Sequence, residues 1–300
     1  MKVNVSFDKA SGKFVGSVNG KVVVRSKYKD AVERRLNEMG GTVDFEAQEQ
    51  AAAVRDAKFG INTRFGFVEK LVTMVAAGVQ PSAVITGEGG LGKTYTVVKT
   101  LAAAGYQDIS DLGEFQVGEV LNRKTFITVK GYSTAKGLYR TLFENNKAVI
   151  VFDDCDAVLK DPVALNLLKG ALDSYGKRII SWNADMRDED LPRSFNFEGR
   201  VIFISNMDQN NIDQAIRSRS MLIDLSMTAD QKIDRMEFIA KCDSFMPEYD
   251  TKIKTDSLAL IRELKDEAKE ISLRTLISVC KVRASNPADY REMCEYMLCA

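Results

Sequence analysis

The chain has 300 residues, with 42 basic and 42 acidic side chains, and therefore no net charge at neutral pH. It contains no histidine, and its five cysteines are an odd number. These counts exclude histidine-based triads and histidine-ligated zinc sites, and they predict reduced thiols in a cytoplasmic protein. No apolar run approaches the roughly 18 residues of a membrane span and no signal-peptide pattern is present, so we expect no membrane contact.

The first forty residues predict a small basic module. Period-2 alternation at 3–7, 13–18 and 21–25 predicts three antiparallel strands, and a helix is predicted from about 28 to 39. Residues 1–40 carry nine basic and four acidic side chains, a net charge of +5. This charge is typical of a nucleic-acid contact, but also of a solvated face or of a docking surface for an acidic protein. We assign residues 1–41 to this module and residues 42–58 to a linker.

Residues 59–227 predict a parallel sheet flanked by helices, because strands and helices alternate along this part of the chain. The predicted strands are at 82–86, 125–130, 148–153, 200–205 and 221–225. The predicted helices are at 64–77, 93–104, 135–145, 162–175 and 212–217. Residues 228–300 are predicted to form a helical lid, with amphipathic segments near 230–241, 255–269 and 273–283.

The segment 87–94 fits the phosphate-binding pattern G-x-x-x-x-G-K-[ST] at every fixed position. Glycines let backbone N–H groups wrap around an anion, and the predicted strand before the loop and helix after it provide the usual context. Lys93 can reach the β- and γ-phosphates, and the Thr94 hydroxyl can ligate Mg²⁺. A glycine-rich turn that binds nothing is the alternative. The predicted ATP-binding residues of the loop are Gly87, Glu88, Gly89, Gly90, Leu91, Gly92, Lys93 and Thr94.

Two carboxylates follow the apolar strand at 148–153. A carboxylate at the carboxyl end of a strand beside the phosphate loop can hold Mg²⁺, and a second one can polarise the attacking water. We therefore expect Asp153 to be the metal carboxylate, together with Thr94, and Asp154 to be the catalytic base. The alternative is a strand that ends in two solvated acids.

These motifs resemble those of AAA+ ATPases over about residues 59–285. The resemblance also rests on a strand that ends in Asn206, on the Ala-Ile-Arg-Ser-Arg segment at 215–219 and on the helical region at the C-terminus. It implies a parallel sheet of the P-loop AAA+ type flanked by helices, and a protein that hydrolyses ATP with Mg²⁺. One departure is that the family usually has Asp-Glu where this chain has Asp153-Asp154, so the water would be placed differently.

The resemblance also implies roles for residues outside the phosphate loop. Asn206 would orient the hydrolytic water, and Arg274 would reach the γ-phosphate. Arg219, with Arg217 in reserve, would act as an arginine finger on a neighbouring subunit, although an exposed arginine is by default a solvated charge. A finger acting between subunits requires a homo-oligomer, either a ring, expected to be a hexamer, or a helical stack. Gly60 and Ile61 stand where family members hold the adenine.

Two further segments bear on the substrate. Residues 177–183 and 195–197 predict a hairpin similar to the pre-sensor-1 hairpin of helicase-like AAA+ proteins, including superfamily 3 helicases, where it engages nucleic acid. Its tip contains Asp185, Asp188, Glu189 and Asp190, and acids repel a phosphate backbone. A hairpin that only packs on the sheet is the alternative. Tyr132 stands near the family's pore loop, or else it caps the following helix.

Three functions follow from this sequence. The leading hypothesis is an oligomeric AAA+ ATPase that couples hydrolysis to nucleic-acid translocation or remodelling, of the kind found in phages and mobile elements. The basic module supports it by resembling, in architecture only, the small three-stranded DNA-binding domains of integrases. The alternatives are a protein-remodelling AAA+ ATPase and a nucleotide-dependent assembly switch with weak hydrolysis.

Overall fold

The computed structural model describes residues 3–8, 13–18, 21–27, 32, 35–36, 58–110, 124–131, 133–183, 191–285 and 288–300. The chain divides into two compact units, Met1–Gly60 and Ile61–Ala300. Within the described ranges, none of the helices combines the length and the apolar character needed to cross a membrane.

The first unit contains the predicted three-stranded antiparallel sheet, in the order β1-β2-β3. The strands are β1 (Val3–Asp8), β2 (Lys13–Val18) and β3 (Lys21–Ser26). Of the predicted helix at 28–39, only residues 32, 35 and 36 are described, and they are helical. A Cβ on Gly16 would lie 2.8 Å from the Cγ1 atom of Val32, so this glycine lets the helix pack closely on the sheet. The predicted linker lies outside the described residues except for Lys58.

The second unit is an α/β fold around a six-stranded sheet, in the order β11-β4-β10-β7-β6-β5. All of its strand pairs are parallel, as the alternation of strands and helices predicts. Its strands are β4 (Ser82–Thr86), β5 (Gln107–Asp108), β6 (Thr125–Lys130), β7 (Val149–Asp153), β10 (Arg200–Ile204) and β11 (Met221–Asp224).

The helices of this unit agree in position with the predicted ones, with shifts at their ends. They are α1 (Ile61–Ala76), α2 (Lys93–Ala103), α3 (Ala135–Glu144), α4 (Pro162–Ala171) and α5 (Gln214–Arg219). The C-terminal region is helical as expected, with α6 (Ala229–Ala240), α7 (Thr251–Glu263), α8 (Leu273–Ser285) and α9 (Tyr290–Cys299).

Both faces of the sheet are covered, which explains why its strands are continuously apolar. Alternate residues of one strand enter different cores: Ile85 packs with α1, α2 and the C-terminal helices, whereas Val84 packs with α3 and α4. The predicted hairpin is present as β8 (Ile179–Ser181) and β9 (Ser194–Asn196), which are antiparallel. Its predicted tip, 184–190, lies outside the described residues.

Three details differ from the sequence prediction. Helix α4 ends at Ala171 rather than near residue 175, because a turn follows in which the Tyr175 N–H donates to Asp173 and Gly176 has a φ of 72°. Strand β5 was not predicted, and helix α9 was covered only by the general expectation that residues 228–300 are helical. Helix α7 begins four residues early, where the Asp250 side chain accepts a hydrogen bond from the Ile253 N–H and caps the helix.

Candidate functional site

The carboxyl ends of β4, β10 and β7 lie side by side and bring three sequence motifs together. The phosphate loop follows β4, Asn206 follows β10, and Asp153 and Asp154 stand at the end of β7. Loops at the carboxyl edge of a parallel sheet are the usual place for a ligand in this class of fold. The three motifs line one cleft of about 540 Å³, which also includes Lys130 and Arg274.

The phosphate loop is shaped by its glycines and fixed by one apolar residue. Gly87 has a φ of 126°, and a Cβ there would lie 2.7 Å from the carbonyl carbon of Leu225, so only glycine fits. Gly92 has a φ of 91° and caps the N-terminus of α2. The Leu91 side chain is fully buried in the core, which leaves its backbone to face a ligand.

Lys93 is buried at the centre of the site, with 5% of its surface exposed. Its Nζ donates to the carbonyls of Gly87 and Glu88, each at 2.6 Å, and to Oδ1 of Asn206 at 3.0 Å. Burial lowers the pKa of Lys93, while nearby carboxylates, Asp154 foremost, act in the opposite direction. A buried ammonium held by neutral oxygens is a site that attracts phosphate.

The two acids at the end of β7 have different partners. Asp153 is mostly buried, and its Oδ1 accepts a hydrogen bond from Thr94 Oγ1 at 2.8 Å. Asp154 is exposed, and its Oδ1 accepts from Asn206 Nδ2 at 2.7 Å. Asn206 therefore links Lys93 to Asp154. The structure brings Thr94, Asp153, Asp154 and Asn206 together in one site.

The Thr94 hydroxyl and the Asp153 carboxylate fit a Mg²⁺ site. Both are oxygen donors, they are in hydrogen-bond contact, and Mg²⁺ is usually held by one or two protein oxygens together with phosphates and water. Lys130 Nζ lies 3.8 Å from the other oxygen of Asp153. The ammonium of Lys130 balances the charge of the carboxylate where a cation would bind.

The C-terminal helices contact the phosphate loop directly. The Leu273 N–H donates to the Gly90 carbonyl at 2.8 Å, and Lys232 of α6 forms an ion pair with Glu88. Arg274, the next residue of α8, is exposed and lines the cleft.

A second, more apolar pocket of about 310 Å³ adjoins the cleft and shares Gly92 and Tyr95 with it. It lies between α1, α2, α6 and α8 and is lined mainly by aromatic and aliphatic side chains, including Phe238, Ile239, Phe245, Leu273 and Ile277. Arg235 lies on its wall, 3.6 Å above the Phe65 ring, and burial lowers the pKa of this guanidinium to about 10.

The other expected site residues differ in their burial. Ile61 is buried in the core, and Gly60 is exposed. On α5, Arg217 is exposed, whereas the Arg219 guanidinium donates to the Ala215 carbonyl of its own helix at 3.1 Å. Tyr132 lies outside the described residues.

Sequence reasoning missed Lys130 and Lys232. Lys130 ends a predicted strand at the same edge as Asp153, so its position in the sheet was a usable signal. Lys232 lies 144 positions from Glu88 on a helix with many charges, and nothing local in the sequence distinguishes it.

No protein-family model matches the chain. The chain is 29% identical over 201 residues to an uncharacterized 36.7 kDa protein encoded in the nrdC-mobD intergenic region of Enterobacteria phage T4. The match covers 62% of this chain and 57% of the phage protein, so the chain spans less than two thirds of that relative.

Two solved structures are similar in fold at low identity. The structure of C. elegans PCH-2 has 13% identity and a TM-score of 0.41, and the match covers 79% of this chain and 66% of that one. The E. coli MS115-1 HORMA:CdnC:Trip13 complex contains a chain with 12% identity and a TM-score of 0.42, matched over 86% of this chain and 93% of that one. At such values neither similarity identifies a substrate or a partner.

Proposed function

We propose that the chain is an ATPase of the AAA+ type. The observation that carries the proposal is the continuous set of contacts from Lys93 through Asn206 to Asp154, beside the Thr94–Asp153 pair. These contacts join three strand ends that are distant in sequence. A phosphate-binding loop alone supports nucleotide binding, whereas this arrangement also supplies a metal site and a base, which hydrolysis needs.

In the proposed reaction each residue has one task. Lys93 exchanges its hydrogen bonds to the carbonyls of the phosphate loop for contacts with the β- and γ-phosphates. Thr94 and Asp153 would hold Mg²⁺, which neutralises phosphate charge when bound. Asp154 accepts the proton of the attacking water, while Asn206 fixes the direction of the Asp154 carboxylate. Arg274 contributes positive charge from the wall of the cleft.

We place the adenine in the apolar pocket that adjoins the cleft. The pocket is continuous with the phosphate loop through Gly92 and Tyr95, and its aromatic and aliphatic walls suit a flat base. Helices α6 and α8 form part of its wall, so a bound nucleotide would contact both the sheet domain and the C-terminal helices.

We propose that an arginine finger from a second copy of the chain adds positive charge at the transferred phosphate. Arg217 and Arg219 are absent from the lining of the chain's own cleft. Arg217 is exposed and can reach another subunit without giving up a side-chain hydrogen bond to any described residue, whereas Arg219 would have to leave the Ala215 carbonyl. The structure therefore favours Arg217, the reserve choice from sequence, within a homo-oligomer.

For the substrate, we propose a protein rather than nucleic acid. Val22 and Val23 are 51% and 40% exposed on β3, and apolar side chains suit a protein contact better than a phosphate backbone. The acids of the 184–190 segment point the same way. Nothing in the described residues adds support for nucleic-acid translocation. The phage T4 relative is in line with the expected phage or mobile-element origin.

Steady-state ATP turnover against protein concentration tests the proposal. We expect Mg²⁺-dependent release of phosphate whose rate per subunit rises with concentration, because the finger acts between subunits. Single- and double-stranded nucleic acid should leave the rate unchanged at low salt. Strong, salt-sensitive stimulation would instead support the nucleic-acid function. ATP binding and oligomer assembly without phosphate release would instead support the nucleotide-dependent assembly switch.

A further inference from the structure

The acidic turn after β7 is attached to the strand beside it by a pair of side chains that do not line the cleft. Ser205 is fully buried, and its Oγ donates to Asp156 Oδ1 at 2.6 Å. The same Oγ accepts the Met207 N–H at 3.0 Å. Ser205 immediately precedes Asn206, and Asp156 lies two residues after Asp154. The two hydrogen bonds thus bracket the residues that orient the water.

The backbone conformation of the turn requires contacts that hold it in place. Asp154 has a φ of 56°, a left-handed conformation that is uncommon for a residue other than glycine. Such a conformation persists only where the surrounding contacts hold it. The Asp154 N–H donates to the Ile204 carbonyl at 3.1 Å, and Cys155 Sγ donates to the Val129 carbonyl at 3.3 Å. The Ser205–Asp156 pair completes the attachment on the side of Asn206.

We infer that Asp156 and Ser205 are positioning residues that set Asn206 opposite Asp154. This inference rests on the proposed ATPase function. Asp156 is absent from the lining of the cleft, whereas Asp153 and Asp154 are part of it. Its task is to accept one hydrogen bond, so an uncharged acceptor in its place would serve as well. The phosphate loop has further supports of its own, because Leu91 is buried in the core and Lys93 also donates to the carbonyls of Gly87 and Glu88. We therefore expect nucleotide binding to survive the loss of the pair.

The test compares Asp156→Ala with Asp156→Asn, alongside Ser205→Ala. The amide oxygen of Asp156→Asn still accepts the Ser205 proton, whereas Asp156→Ala has no acceptor. We expect Asp156→Ala and Ser205→Ala to lower kcat by about tenfold or more, because a displacement of about 1 Å at a reacting group can cost about 100-fold. Asp156→Asn should stay within about threefold of wild type. The Kd for ATP should remain unchanged in all three, whereas the two alanine variants should melt a few degrees lower, because each loses a hydrogen bond.

Each other result has a definite meaning. Equal losses in Asp156→Asn and Asp156→Ala would show that the charge itself acts, which overturns the positioning role. Wild-type turnover in Asp156→Ala, or a parallel loss of ATP binding, would also overturn it. Asp156 is only half-buried, so its variants keep the test valid even if Ser205→Ala does not fold. If the wild type itself releases no phosphate, the proposed function fails and this inference fails with it; with an active wild type, only the inference is at stake.

Discussion

The carboxyl edge of the sheet and helix α5 both carry charges that phosphoryl transfer can use, but the two regions are organised differently. At the edge, Lys93, Asn206 and Asp154 are joined by hydrogen bonds, and the loop that holds them is anchored in the core by Leu91. On α5, Arg217 is exposed, and the Arg219 guanidinium bonds to its own helix.

For the proposed ATPase, the difference indicates which part of the chemistry is complete in one chain. Groups that bind phosphate and orient water must keep a fixed geometry, and the parallel sheet provides it because neighbouring strands end at the same edge. A finger that acts between subunits needs no partner within its own chain. We therefore expect the largest losses of ATP turnover from substitutions that remove a key side chain from one of the two regions and leave the other intact.

Replacing Arg217 by alanine should have the largest effect. An arginine finger is worth about 10³-fold or more in rate in other NTPases, so we expect a loss of about that size in kcat with unchanged ATP affinity. Arg219→Ala is the matched control on the same helix and should lose much less. Phosphate release and ATP binding, measured on both variants, decide between the two arginines.

A mixing experiment then tests whether the arginine acts between subunits. Arg217→Ala has an intact cleft, and Lys93→Ala has an intact Arg217, so mixed oligomers should regain turnover that neither variant has alone. Activity that stays absent in every mixture would place the function of Arg217 within its own chain, and α5 would no longer differ from the sheet edge.

Asp154→Asn should have the next largest effect, confined to the sheet edge. An asparagine keeps the contact with Asn206 but cannot take the proton of the water, and general-base catalysis is typically worth about 10²–10⁴-fold. We expect ATP to remain bound and unhydrolysed, as measured by retention of radiolabelled ATP on the oligomer. Asp243→Asn, which changes an exposed acid in the loop between α6 and α7, is the control. Unchanged turnover in Asp154→Asn would favour the assembly switch.

The sequence predicted the sheet edge well because its signals are local. The spacing of Gly87, Gly92 and Lys93 and the run of apolar residues before Asp153 each lie within eight residues. The order of the strands in a parallel sheet then brings such segments together. The three strands of the first unit were predicted for a similar reason, since period-2 alternation is a property of short segments.

What the sequence could not predict depends on contacts between distant residues. Strand β5 has two residues and forms only because it pairs with β6. The half-burial of Arg219, which separates it from Arg217, depends on how α5 packs against α4 and β11. The Ser205–Asp156 and Lys232–Glu88 contacts likewise join residues that no local pattern relates.

The smallest predicted effect concerns the Lys232–Glu88 ion pair, which connects the sheet edge to the C-terminal helices. Glu88 stands in the phosphate loop, where a negative charge repels the nucleotide unless a cation balances it. Lys232→Met should therefore weaken ATP binding by about threefold, since an ion pair whose acid is largely exposed contributes little. The double variant Glu88→Gln, Lys232→Met should bind ATP about as well as Glu88→Gln alone, because the charge to be balanced is gone. Equal weakening by Lys232→Met in both backgrounds would show instead that Lys232 contacts the phosphates itself. Lys232 would then be a nucleotide-binding residue rather than a partner that balances the charge of Glu88.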